Sequence, residues 1–145
     1  MYELYIANKN YSSWSMRPWV LMRGLGLPFT EHLRPFTEKY VPGEFRSFSP
    51  SGRVPCLVDG PQVVWDSLAI VEYLAERHPG VWPSDASARA WGRCASAEMH
   101  SGFAALRNQC SMSVGVRIRL HAVNDALKSD LARIEELWAD GLARH

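Results

Sequence analysis

The chain is short of the residues that build metal centres, disulfide scaffolds and membrane spans. Its 145 residues include three cysteines, Cys56, Cys94 and Cys110. Three is an odd number, and no C-x-x-C or metal-type spacing appears. A reducing compartment, the cytoplasm, is the simplest reading. The histidines (His32, His78, His100, His121 and His145) do not pair at ligand spacing either, so no metal is expected. No stretch approaches the ~18 uncharged apolar residues of a membrane span. The start, MYELYIANKN, has no basic n-region and no long apolar core, so it does not read as a secretory signal, and no membrane partner is expected. An excess of one charge is also missing. Formal net charge is +1, with 8 basic and 8 acidic residues up to Trp82 and 8 and 7 after it. A nucleic-acid binder usually carries a basic stripe, and none is visible. Arg117 and Arg119 form the only dense basic pair. They read as a solvated helix end or turn, with a phosphate contact as the alternative.

What is present is the composition of a packed soluble domain. Apolar residues make up 47%, charged residues 21% and aromatics 11%, which excludes disorder as the dominant state. Residues 2–7, YELYIA, alternate and read as a strand. Ser15 to Gly24 reads as a short helix, with Pro18 in its first turn and Gly24, Gly26 and Pro28 as stops. Phe29 to Arg34 reads as a second strand, and Thr37 to Phe48 as a short irregular helix broken by Pro42 and Gly43. SPSG at 49–52 is a turn cluster. Pro55 to Asp59 and Gln62 to Trp65 form a hairpin about a turn at Asp59-Gly60. Ser67 opens a helix carrying Leu68, Ile70, Val71 and Leu74, and His78-Pro79-Gly80 ends it. The order β-α-β-α-β-β-α is the thioredoxin-like arrangement, an α/β sheet with helices on both faces.

After PGVWP at 79–83, a Pro-punctuated linker, the pattern becomes all-helical. Residues 84–112 read as an Ala-rich helix that Ser84-Asp85 can cap. A break near 113–116 follows. Leu120, Val123, Leu127, Leu131, Ile134 and Trp138 then mark one face of a second long helix. The expected organisation is therefore a sheet domain at 1–79 and two antiparallel helices with a short link at 84–145.

Three segments carry the candidate chemistry. They are Ser12-Ser13-Trp14-Ser15-Met16-Arg17, Ser51-Gly52-Arg53-Val54-Pro55-Cys56-Leu57 and Trp65-Asp66-Ser67-Leu68-Ala69-Ile70. In a thioredoxin-like sheet all three can converge on one edge, and together they suit a small acidic thiol peptide. A hydroxyl at a helix N-terminus can donate to a thiolate that the helix dipole also stabilises. A cis proline entering a strand turns the main chain of the preceding residue, Val54, towards an extended peptide. Ser67 at a helix start offers its hydroxyl and its N–H to a carboxylate, and Asp66 can take an ammonium. Each has a plainer reading. Ser12, Ser13 and Ser67 can simply cap helices, and Arg53 can be a solvated surface charge.

On these residues the sequence resembles the glutathione transferase family. SSWSMR looks like the SSCxxR signature of the zeta class, with Trp14 at the cysteine position. GRVPCLVDG and WDSLAIVEYL resemble two further family segments. The resemblance covers the whole chain, as a glutathione-binding domain and the first two helices of an all-helical domain. It implies that Ser12 or Ser13 hydrogen-bonds the glutathione thiol and lowers its pKa, so that thiolate attacks a hydrophobic electrophile. It implies that Val54, beside Pro55, holds the cysteinyl main chain. Asp66 and Ser67 would hold the γ-glutamyl group, and Arg53 would face the glycyl carboxylate. The electrophile would lie between the domains, against residues such as Met99, Phe103 or Arg107. Glutathione is then a co-substrate and the protein a homodimer. Trp14 weakens a maleylacetoacetate isomerase reading. The alternatives are a non-catalytic binding or assembly module and a thiol redox protein. The last is disfavoured by the serines where a nucleophilic cysteine is needed. Family members usually continue with several more helices, so the chain is expected either to be truncated or to cover its helices by dimerisation or exchange.

Overall fold

The computed structural model describes residues 1–36 and 43–145. The chain forms two compact units, Met1–Val81 and Trp82–His145.

The first unit is built on four strands, β1 (Tyr2–Ile6), β2 (Phe29–Leu33), β3 (Cys56–Asp59) and β4 (Gln62–Trp65), in the order β2-β1-β3-β4. β1 is parallel to β2 and antiparallel to β3, and β4 is antiparallel to β3. Side chains alternate across a strand, and β1 shows the result. Leu4 and Ile6 are fully buried on one face, and Glu3 and Tyr5 point to the other. The buried face packs against α1 (Ser13–Gly24) and α2 (Ser67–Ala75). Leu4, Ile6, Met22, Leu57, Ile70 and Leu74 form this core. Full burial stabilises each by about 1.5–3 kcal/mol. On the opposite face the Tyr5 ring lies between His32 and Phe48, with both ring centroids 4.4 Å away. A 3-10 turn at Glu44–Ser47 supplies Phe45 to the same cluster. It is the described part of the irregular helix expected over 37–48; residues 37–42 of that reading lie outside the described residues.

Two local expectations shift. α1 begins at Ser13 rather than Ser15, so Pro18 falls in its second turn, not its first. There its ring has no N–H to donate to the helix ladder. The stop is as expected: Gly26 takes φ 66°, and its N–H and that of Leu27 donate to Arg23 and Met22. That is the glycine-dependent way to finish a helix.

The second unit contains α3 (Ala86–Ser101), α4 (Ala104–Gln109) and α5 (Asp125–Arg144). Asp85 caps α3, its carboxylate accepting from Ala88 N at 2.7 Å. α3 and α5 run antiparallel. Trp91 Nε1 donates to Asp140 Oδ2 (2.9 Å), while Arg133 reaches back to Glu98 (2.6 and 2.9 Å). The expected helix over 84–112 is interrupted at Gly102-Phe103. Gly102 is extended, and Phe103 sits in the left-handed region at φ 60°. The Arg107 guanidinium folds back onto the carbonyls of Met99 and Gly102. It thereby satisfies the C-terminal end of α3. The link to the next helix is longer than read, running from Cys110 to Asn124. Leu120 and Val123 belong to it, not to α5. The reason is the cap: Asn124 Oδ1 accepts from Leu127 N at 2.9 Å and fixes the helix start there.

Candidate active site

The strand register decides which loops meet. Tyr5 near the end of β1 lies opposite Cys56 at the start of β3, and Cys56 lies opposite Trp65 at the end of β4. The segments leaving β1, entering β3 and leaving β4 therefore share one end of the sheet. They carry Ser12 and Ser13, then Arg53, Val54 and Pro55, then Asp66 and Ser67. These seven residues, singled out for glutathione, are brought to that end, on one unit; Met99, Phe103 and Arg107, singled out for the electrophile, lie in the other unit.

Ser12 is at the N-cap position of α1, yet its side chain makes no capping bond. It is buried, and its hydroxyl donates to Ser15 Oγ at 2.9 Å. Ser15 is fully buried and also accepts from Ala7 N at 3.1 Å. The loop before α1 is tied at Asn8. Its main-chain carbonyl accepts from Tyr11 N and Ser12 N, and its side-chain carbonyl accepts from Phe36 N (3.1 Å). Ser13 opens the helix and is half-buried. Trp14 stacks on the Arg17 guanidinium, 4.3 Å from ring centroid to carbon. Sequence reasoning missed Ser15 and Asn8. The available signal for Ser15 was its spacing, three residues and one helical turn after Ser12.

The Val54–Pro55 peptide is cis. Val54 precedes the first paired residue of β3, and neither its N–H nor its C=O is hydrogen-bonded within the described residues. Arg53 is exposed, its N–H donating to Ser51 Oγ at 3.3 Å. Cys56, directly after Pro55, is fully buried, and its thiol donates to the Phe48 carbonyl (3.4 Å). Burial pushes its pKa up, against a smaller lowering by Ser49. That suits a packed side chain and not a nucleophile.

At the third segment the structure separates capping from binding. Asp66, not Ser67, is the N-cap of α2, and its carboxylate accepts from Leu68 N at 2.8 Å. Asp66 holds φ 76°, ψ 136°, a region that non-glycine residues rarely adopt and that clusters at ligand sites. Ser67 is 1% exposed, and its hydroxyl has no hydrogen-bond partner among the described residues. A buried hydroxyl left unpaired costs about 1–3 kcal/mol. It sits in the first turn of α2, where free N–H groups and the helix dipole favour a carboxylate. An acidic peptide with an ammonium beside its carboxylate matches this pair.

Known proteins share this fold. The family profile described as glutathione S-transferase, N-terminal domain, matches residues 11–77. Glutathione S-transferase Z1 of Arabidopsis thaliana is 30% identical over 109 residues, 70% of this chain and 49% of that protein. A probable maleylacetoacetate isomerase of Caenorhabditis elegans is 40% identical over 67 residues, 45% of this chain and 31% of that protein. Among solved structures, a glutathione transferase homolog from Burkholderia BGR1 with bound glutathione has a TM-score of 0.62 at 28% identity. That match covers 74% of this chain and 60% of the other. The chain spans half or less of the length of these two curated relatives. The three site segments lie on one end of a thioredoxin-like sheet and this profile spans all of them, so residues 11–77 form a glutathione S-transferase N-terminal domain.

Proposed function

We propose that the protein binds reduced glutathione at this sheet end and activates its thiol for attack on a hydrophobic electrophile. The observation that carries the reading is the Ser67 hydroxyl, buried and unpaired among the described residues at the start of α2, beside the strained Asp66. Ser67 and the α2 N–H groups take the γ-glutamyl carboxylate, and Asp66 takes its ammonium. Val54 offers to the cysteinyl main chain an N–H and C=O that are unpaired among the described residues, and Arg53 faces the glycyl end. A serine hydroxyl at the start of α1, Ser12 or Ser13, donates to the sulphur and stabilises the thiolate. The electrophile then takes the sulphur in a new bond and releases its leaving group. We place the activity in the cytoplasm and in a homodimer, as the cysteine usage and the family resemblance suggest.

A second reading, isomerisation of maleylacetoacetate, draws on the similarity to the worm protein of that name. It uses the same glutathione site. The two separate by product: a thioether conjugate in one case, an isomerised diketo acid with glutathione regenerated in the other. Turnover of an aryl halide with glutathione tests the leading reading. It should be measurable and should fall by about 10²-fold or more when both Ser12 and Ser13 become alanine. An unchanged rate in that double variant contradicts the serine assignment.

A further inference from the structure

We propose that Ser15 is a positioning residue that orients and polarises the Ser12 hydroxyl, which makes Ser12 rather than Ser13 the thiol-activating serine. The inference rests on the glutathione reading above. Its basis is a buried chain of three groups, Ala7 N, Ser15 Oγ and Ser12 Oγ, with steps of 3.1 and 2.9 Å.

Ser15 is fully buried in the first turn of α1, a place where an unneeded hydroxyl is costly. Its oxygen accepts the Ala7 N–H, which leaves its own proton free to donate. The Ser12 oxygen lies within reach. In the free protein the Ser12 proton points inward, to Ser15. A thiolate arriving beside Ser12 is a stronger acceptor than a neutral hydroxyl. The Ser12 proton then turns to the sulphur, and the Ser15 proton turns to the Ser12 oxygen. Every donor now points the same way, from Ala7 N–H through Ser15 and Ser12 to the sulphur. Hydrogen bonds aligned in series strengthen one another in a low-dielectric site. No serine loses its proton; the thiol proton leaves to solvent water. The loop holds the Ser12 main chain in place, because Ser12 N and Tyr11 N are both fastened to the Asn8 carbonyl.

The test is the ultraviolet titration of the thiolate of bound glutathione, read with the glutathione KM and kcat for an aryl halide. Wild-type protein should hold the thiol at least about one unit below the ~8.5 of a free cysteine. Ser15→Ala should cut the thiolate fraction at neutral pH by about 3–10-fold, with kcat falling in step and the glutathione KM changing by less than about 2-fold. Ser12→Ala should shift the titration further, and the double variant should be no worse than Ser12→Ala alone. Ser15→Thr keeps the hydroxyl and should restore the titration. Ser15→Cys, close in shape but weak as donor and acceptor, gives the same reading should Ser15→Ala not fold. A wild-type titration in Ser15→Ala, or additive losses in the double variant, overturns the relay while leaving the function standing. Failure of wild-type protein to bind glutathione overturns both.

Discussion

Ser67 shows how one side chain can be at odds with the stability of its own fold. Its hydroxyl is buried and unpaired among the described residues, so it destabilises the free protein. A ligand carboxylate offers the missing partner. Ser67→Ala should therefore raise the unfolding free energy by up to about 1 kcal/mol and weaken glutathione binding by about 10-fold. Thermal melts with and without glutathione read both effects. A loss of stability in the variant would show that the hydroxyl has an internal partner after all. Cysteine chemistry gives a second residue-scale expectation. Cys94 and Cys110 are exposed and Cys56 is buried with a raised pKa. An aromatic disulfide reagent should modify two thiols promptly at pH 8 and the third only after denaturation. Rapid labelling of all three would reopen the redox alternative.

Between elements, the contact that secures the serine loop is ionic. Glu31 on β2 accepts from Lys9 in the loop after β1 and from Trp19 Nε1 of α1 (2.7 Å), with Arg23 at 4.0 Å. Burial alone raises its pKa; the Lys9 and Trp19 hydrogen bonds and the nearby cations outweigh burial and hold the carboxyl below its ordinary value. A depressed carboxylate adds stability that is fully present above the ordinary carboxylate range. That stability is lost as pH falls through the lowered pKa of the folded state. Glu31→Gln should lower Tm at neutral pH and flatten the fall of Tm on acidification. A parallel offset at every pH would contradict this role. The group is partly exposed, so the effect is small.

The strands, α1 and α2 were legible because period-2 and period-3.6 patterns, glycine stops and the Asp59-Gly60 turn all agreed there. The helical unit was legible in class but not in detail. Helix periodicity does not register a residue such as Phe103 at positive φ, because nothing in a hydrophobic phenylalanine announces it. Leu120 and Val123 extended the α5 stripe on paper, but the Asn124 cap overrode them. At the site, the three segments were visible as motifs. What the sequence hid was the division of labour within them: capping by Asp66 leaves Ser67 unpaired, and Ser15 takes the Ser12 hydroxyl. These are hydrogen-bond assignments, and they depend on geometry rather than on residue type.

At the scale of the molecule, chemistry and helical scaffold fall in different units. The seven glutathione-site candidates lie in Met1–Val81, and the second unit is held by its own contacts. Gly141 is one of these. A Cβ there would stand 2.4 Å from the Trp91 ring, which Asp140 pins by a hydrogen bond. Gly141→Ala should destabilise the second unit by about 1–3 kcal/mol, seen as a lower midpoint in denaturant. An unchanged midpoint would mean that the Trp91 ring moves aside at no cost.

Glutathione binding is proposed at the sheet end bearing Ser12, Val54, Asp66 and Ser67. Calorimetric titration of the purified chain with reduced glutathione tests it directly. Saturable binding in the micromolar to low-millimolar range, about 4–8 kcal/mol, is expected, weakened by Ser67→Ala. No heat and no thermal shift at ~10 mM glutathione, where even a millimolar site would be mostly filled, would contradict it.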